Sequence, residues 1–372
     1  MKYFVKTVSD EKDLKKFIEL PWKIYENYPN WVPPLKSEVR FLVGKDNPFW
    51  EHAEREIFLA YDEKENIVGR IVAIMDKRHN EFHSEKTGFF GFFECINDTE
   101  VSGLLFDSAL KWVKEKGMNL IRGPVNPSMN DECGFLIEGY DKMPSIMMPY
   151  TPDYYIKLYE SYGFRKAKDL YALIKYTSEG IPQRIERMID GVIKKTGVKI
   201  RTLDMRNFER DINILKDIYN SAWEKNWGFV PMTDNEINIS AKKLKDFVDP
   251  DLVLFAEVNG SPVGVAVTIP DINPILKKMD GELNLLNVFR FLYYRKKMKG
   301  IRSLIGGVKK EYRNTGIIAA LYYQTEINAR KKGYEWCELG WNLEDNDLIN
   351  RFDMAIGGKI YKKYRIVEKD II

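Results

Sequence analysis

Apolar positions in the segment 104–126 recur three and four residues apart, run up to a basic stretch and Gly117, and then crowd into a short apolar run. That pattern predicts an amphipathic helix closed by a C-terminal glycine and followed by a strand. The segment 320–342 repeats it without a gap: Gly117 falls on Gly333 and Asn126 on Asn342, both 216 positions apart. Upstream, segments 57–74 and 252–269 each read as strand, polar turn and strand, a hairpin with Gly69 falling on Gly264. Further upstream, Ile24-Tyr25 followed by Trp31, Val32 and Pro33 echoes Ile218-Tyr219 followed by Trp227, Val230 and Pro231. The spacing changes between matches because the second copy carries extra residues around 271–300 and the first around 132–155. Matching frameworks with insertions at different points describe a duplicated domain with variable loops.

Each copy reads as strand, helix with its following loop, hairpin, strand, long helix, strand, helix, strand. A strand, a crossover helix and another strand imply local parallel pairing, so the fold class is α/β, a mixed α+β sheet covered by helices, built twice. The segment from Ile181-Pro182 reads as a helix opening on proline. The junction is therefore placed at 178, with domains 1–178 and 179–372.

Composition narrows the function classes. The 372 residues are 44% apolar and 13% aromatic, enough for two packed cores. Fifty-eight basic residues against 55 acidic ones argue against a protein that binds nucleic acid by neutralising phosphates, but leave room for one local anion site. Cys95, Cys133 and Cys337 are too few and too scattered for a disulfide framework or a zinc site, so reduced, buried thiols are expected. His79 and His83 lie four apart, but nothing completes a metal set, and they read as solvated helix residues. No apolar run has signal-peptide or membrane-spanning length, so a cytoplasmic protein with no membrane partner is expected.

The chemistry concentrates in the second copy. A strand over 303–308 feeds the turn KKEYRNTG, which opens the helix from 317. Free backbone N–H groups and an arginine at a helix start suit a pyrophosphate, through the helix dipole and charge-assisted hydrogen bonds.

Val308 through Leu321, VKKEYRNTGIIAAL, resembles the acetyl-CoA-binding signature of the GCN5-related N-acetyltransferases. Arg313, Gly316 and Ile318 occupy its Arg/Gln, Gly and Gly/Ala places, Ile318 being a departure. The family also carries a downstream signature, an Asn and then a Tyr four residues before Gly-Phe. Copy one matches its end with Tyr159, Gly163 and Phe164. Copy two places Asn346 on the Asn and Gly357 on the Gly, but Asp353 on the Tyr and Gly358 on the Phe. Copy one has FECINDTE where copy two has the phosphate turn, with acidic residues in place of Arg and Gly.

The resemblance implies two tandem acyl-CoA N-acyltransferase-like domains, the first degenerate. The second would bind acetyl-CoA or another acyl-CoA through Val308, Arg313, Asn314, Thr315, Gly316, Ile317, Ile318, Ala319 and Asn346. Asn346 reads equally as a helix cap. An amine would attack the thioester directly, with no covalent enzyme intermediate. Candidates for proton transfer are Tyr361 and Tyr364 in the last strand and Glu338, which otherwise reads as an exposed strand carboxylate. Tyr159 enters only if the domains share a site, and is otherwise a packing residue. Trp223, Trp227, Phe229 and Asn342 are candidates to shape the acceptor pocket. The expected partner is a small-molecule or peptide amine, with a homodimer possible. Two alternatives stay open: a transferase drawing on aminoacyl-tRNA, and a non-catalytic module that binds CoA or a metabolite.

Overall fold

The computed structural model describes residues 2–224, 226–245 and 247–371. The first copy runs β1 (Tyr3–Thr7), α1 (Glu11–Ile24), α2 (Lys36–Val43), β2 (Ala53–Asp62), β3 (Ile67–Asp76), α3 (Lys77–His83) and β4 (Thr87–Cys95). It continues through α4 (Thr99–Glu115), β5 (Leu120–Gly123), β6 (Val125–Asn126), β7 (Glu132–Cys133), β8 (Phe135–Glu138), α5 (Tyr155–Ser161) and β9 (Arg165–Tyr176). The second opens with α6 (Gln183–Thr196), β10 (Lys199–Thr202), α7 (Phe208–Trp223), α8 (Asp234–Lys245), β11 (Val253–Val258) and β12 (Ser261–Pro270). An added pair, α9 (Asn273–Met279) and α10 (Leu285–Tyr294), precedes β13 (Gly300–Val308). The chain then runs α11 (Ile317–Lys332), β14 (Trp336–Leu343), α12 (Asp347–Ala355) and β15 (Lys359–Asp370). The helix-ending glycines read from the sequence are in place: Gly117 and Gly333 follow α4 and α11 at φ 82° and 79°, a left-handed conformation that glycine adopts without a Cβ clash.

Two compact units result, and they are not the two halves of the sequence. Unit 1 comprises residues 1–170, 273–294 and 362–372; unit 2 comprises 171–272 and 295–361. Each therefore differs from the division at 178. In unit 1 the last strand comes from the chain's end. β15 pairs antiparallel with β5, Val367 opposite Gly123, and with β8, Arg365 opposite Phe135. The α9–α10 insertion belongs to unit 1 because its polar groups are satisfied there. Asn273 donates to the Pro144 carbonyl at 2.8 Å, and Trp22 Nε1 donates to Asp280 at 2.8 Å.

In unit 1, β1 to β4 are joined antiparallel and β4 to β5 parallel. Successive residues of β3 show its two covered faces. A Cβ at Gly69 would strike Leu105 and Val101 of α4, whereas Arg70 reaches the Phe17 carbonyl of α1 at 2.6 Å. The α4 side holds an aromatic core with Phe90, Phe93, Phe106, Phe135, Tyr155 and Phe164 all buried. At about 1.5–3 kcal/mol for each large side chain removed from water, it is a main source of this unit's stability.

Unit 2 repeats the plan, with β10 to β13 antiparallel and β13 to β14 parallel, and with β9 beside β14. Here too consecutive residues look to opposite layers: Gly306 faces Tyr322 and Ile318 of α11, and Gly307 faces Ala222 and Trp223 of α7. No helix among the described residues is long and apolar enough to cross a membrane.

Candidate functional site at the β13–β14 divergence of unit 2

β13 and β14 pair in parallel only from Gly300–Trp336 to Ser303–Leu339. β13 continues to Val308 and β14 to Leu343, so the ladder ends before the strands do. β13 stays joined to β12 there, but on the edges where β13 and β14 face each other backbone N–H and C=O groups are left to be satisfied by something else. Gly306 and Gly307 lie on the part of β13 beyond its pairing with β14, and the neighbouring helices approach so closely that a Cβ at either would collide.

β13 leads into the phosphate turn. Asn314 takes φ 64° and Gly316 φ 84°, and α11 begins with Gly316 as an N-cap that supplies no side-chain hydrogen bond. Among the described residues the chain gives the N–H groups of Gly316 and Ile318 no acceptor, and Ile317 N–H meets only Thr315 Oγ1 at 3.5 Å. A helix start left bare in this way carries a partial positive charge. Arg313 donates Nη2 to the Ser221 carbonyl at 2.9 Å and the Ala222 carbonyl at 3.3 Å, which ties the turn to the C-terminus of α7. The Ile318 side chain packs against Gly306 and the core of this unit. Asn346 stands at the N-cap of α12 without a side-chain cap bond.

Two buried acidic groups flank the divergence. Glu338 is fully buried on β14, not exposed as the sequence suggests, because Arg302 is its register partner on β13 with Nε 3.1 Å from Oε1. Tyr361 donates its hydroxyl to the other carboxylate oxygen. Asp353 on α12 is 2% exposed. Its Oδ2 accepts from Asn342 Nδ2 at 2.8 Å, and its Oδ1 has no hydrogen-bond partner among the described residues. Burial pushes its carboxyl up to about 7, against the smaller opposing effect of Asn342. Beside Asp353, burial first and the carboxylate second raise the Tyr322 hydroxyl. Asp353 was visible in the sequence as a departure at the Tyr position, but nothing there told that it would be dry.

The other predicted residues fall into place unevenly. Trp223 and Phe229 both pack on Tyr219, at 4.9 and 5.4 Å between ring centroids, with Trp223 lying against Gly307. Trp227 is half-buried in the turn after α7. Tyr364 is not beside Tyr361: β15 passes into unit 1 from Lys362, and Tyr364 is fully buried there against Gly134. Tyr159 is buried in the unit 1 core, stacked on Phe135 at 5.1 Å. His79 is buried too, 3.4 Å from Glu85 and edge-on to Phe89, and is no solvated histidine. No cluster that could hold a metal occurs among the described residues.

The corresponding place in unit 1 is filled by the chain itself. Asn126 Oδ1 accepts the Phe92 N–H at 2.6 Å, and Gly91 lies directly under the Val125 carbonyl. Asp98 caps α4, accepting from the Glu100 N–H at 2.8 Å.

No protein-family model matches the chain. Protein YghO of Escherichia coli is 35% identical over 99% of the chain and 95% of its own length. The bacterial ceramide synthase of Caulobacter vibrioides is 34% identical over 97% and 96%. The chain belongs to the family of these two proteins. A solved tandem GNAT protein from the clavulanic acid biosynthesis pathway covers 100% of the chain and 99% of its own, with a TM-score of 0.58 at 9% identity. The fold is thus of the tandem GCN5-related N-acetyltransferase type, and each unit is a GNAT-like domain.

Proposed function

We propose that the protein is an acyl-CoA-dependent N-acyltransferase, that unit 2 holds the CoA, and that the acceptor is the amine of a long-chain amino lipid. The bare start of α11, set beside the opened end of the β13–β14 ladder, carries the first two parts. An anion at the Gly316 and Ile318 N–H groups would meet the helix dipole and the charge of Arg313. Beyond Ser303 the edge of β13 that faces β14 has no strand partner, so its backbone N–H and C=O groups are available to a thin polar arm running between the two strands. Support for the acceptor comes from the name of the Caulobacter relative, because a ceramide is the amide of a long-chain amino alcohol and a fatty acid.

Acyl-CoA supplies an activated thioester: the amine nitrogen bonds to the acyl carbon, the C–S bond breaks, the nitrogen loses a proton and the sulfur gains one. Asp353, protonated up to about pH 7, is the group to give the sulfur its proton, in the place where the resembling GCN5-related signature has a tyrosine. Glu338 is the group to take the amine's proton, relayed through the Tyr361 hydroxyl that donates to it.

The direct test incubates purified protein with long-chain acyl-CoA and a long-chain amino alcohol. It should release CoA thiol in step with an amide seen by mass spectrometry, and small hydrophilic amines should be poor acceptors. Thiol release that ignores the amine, or none with any acyl-CoA, would refute the reading. For the binding site, Asn314→Asp is the informative change, since Asn314 is exposed and aspartate tolerates its left-handed backbone. It should weaken CoA binding about tenfold, ~1.4 kcal/mol, while Asn314→Gly leaves it near wild type. Equal affinity of both variants in calorimetry would move the phosphates elsewhere. Gly316 is a poorer probe because any side chain there would strike Val192.

A further inference from the structure

Seven of the fourteen large apolar side chains exposed among the described residues fall between Leu283 and Tyr293, so the exposure is concentrated in one element. Leu285 is 79%, Phe289 66% and Leu286 61% exposed, and Leu283, Val288 and Leu292 join them. Soluble surfaces scatter apolar residues singly; a contiguous patch is one that is covered in use.

The element that carries the patch is fixed in place. Asn287, the buried residue of α10, donates Nδ2 to the Met279 carbonyl at 3.0 Å and the Glu282 carbonyl at 2.8 Å. Arg290 donates to the Lys278 carbonyl at 3.2 Å and Asn287 Oδ1 at 3.0 Å. Lys36 pairs with Glu282 at 2.7 Å, and Lys277 donates to the Pro29 carbonyl.

Charge says what covers it. Past Glu282, α10 carries no acidic residue, whereas its Arg290 and, on α9, Lys277 and Lys278 are exposed. The nearest acids on the other side, Asp280 and Glu282, are already engaged by Trp22 and Lys36. A second copy docked face to face would oppose Arg290 to a helix with no acidic residue, which disfavours self-association. Ten helical residues span about 15 Å, roughly half a hydrocarbon core, so α10 can lie in a bilayer interface and cannot cross one.

We propose that the α9–α10 pair docks the protein on an anionic phospholipid bilayer. Leu285, Leu286, Phe289 and Leu292 enter the boundary between headgroups and acyl chains, and the basic residues meet lipid phosphates. This departs from the expectation of no membrane partner, which looked only for a spanning run. The surface stands on the helix itself and does not depend on which amine the enzyme acylates.

The experiment is flotation of the full chain with phosphatidylcholine vesicles, with and without about one-third phosphatidylglycerol. Wild type should float with the anionic vesicles and lose most of that binding on adding salt. The double variant L285E/F289E should bind them about tenfold more weakly or less, with an unchanged thermal midpoint and unchanged CoA affinity. Wild type that stays with neither vesicle would overturn the proposal, as would a variant that floats as well as wild type. So would a wild-type dimer by light scattering that the substitutions dissociate without any vesicle binding, since α10 would then be a subunit interface.

Discussion

Asp353 shows how far one buried atom constrains the chemistry. The carboxyl is raised from an ordinary 3.8 to about 7, chiefly by burial. Between those values the folded protein keeps a proton that the unfolded chain has released. Stability therefore falls as pH rises through that window and levels off above it, at up to about 1.4 kcal/mol per pH unit. Asp353→Asn cannot ionise, so it should melt above wild type at pH 8, with the gap closing toward pH 5. If this residue protonates the sulfur, wild-type kcat falls above pH 7, and the asparagine variant is slow at every pH. Melting curves that coincide at both pH values would mean that the carboxylate is solvated in the fold. The same lesson separates what could and could not be read at residue level. Glu338 and His79 were recognisable as titratable, yet their burial depends on partners, Arg302 across the ladder and Glu85 six residues on, which only the fold brings near.

At the scale of elements, α4 and α11 are the same helix in two copies, with opposite starts. α4 begins under the Asp98 carboxylate with Glu100 in its first turn, so its dipole is already satisfied; α11 begins under Gly316 with no cap and no acid. Calorimetry should therefore saturate at one CoA per chain, and two equal sites would show that the unit 1 helix start opens to ligand. This contrast was legible, since FECINDTE against KKEYRNTG already carries the charges. So were both hairpins and the glycine helix ends, because they rest on local backbone rules. The plug at Asn126 was not. Its match to Asn342 was plain, but one side chain turns to the Phe92 N–H and the other to Asp353, a choice made by the surroundings.

At the scale of the molecule, the final strands of the two copies, which the division at 178 leaves each with its own copy, are shared out differently between the units. β9 and β15 are each twelve residues long and rich in lysine and apolar positions, so neither pattern says which sheet it completes. The structure resolves it through long-range pairs within unit 1. Arg365 forks onto Asp169 at 2.8 and 2.9 Å, Arg122 meets Glu368 at 3.0 Å, and Ile366 and Val367 are fully buried. Deleting residues 362–372 should then damage the unit built mostly from the first 170 residues. Two buried aliphatic side chains at about 1.5–3 kcal/mol each, with a strand's worth of ladder bonds, approach the whole stability of a typical domain. Hydrogen exchange on the truncated chain should show β5, β8 and α5 losing protection, while β12 and α11 of unit 2 keep theirs. Loss confined to unit 2 would mean that the last strand belongs to the copy that encodes it, and that the division into these units is wrong.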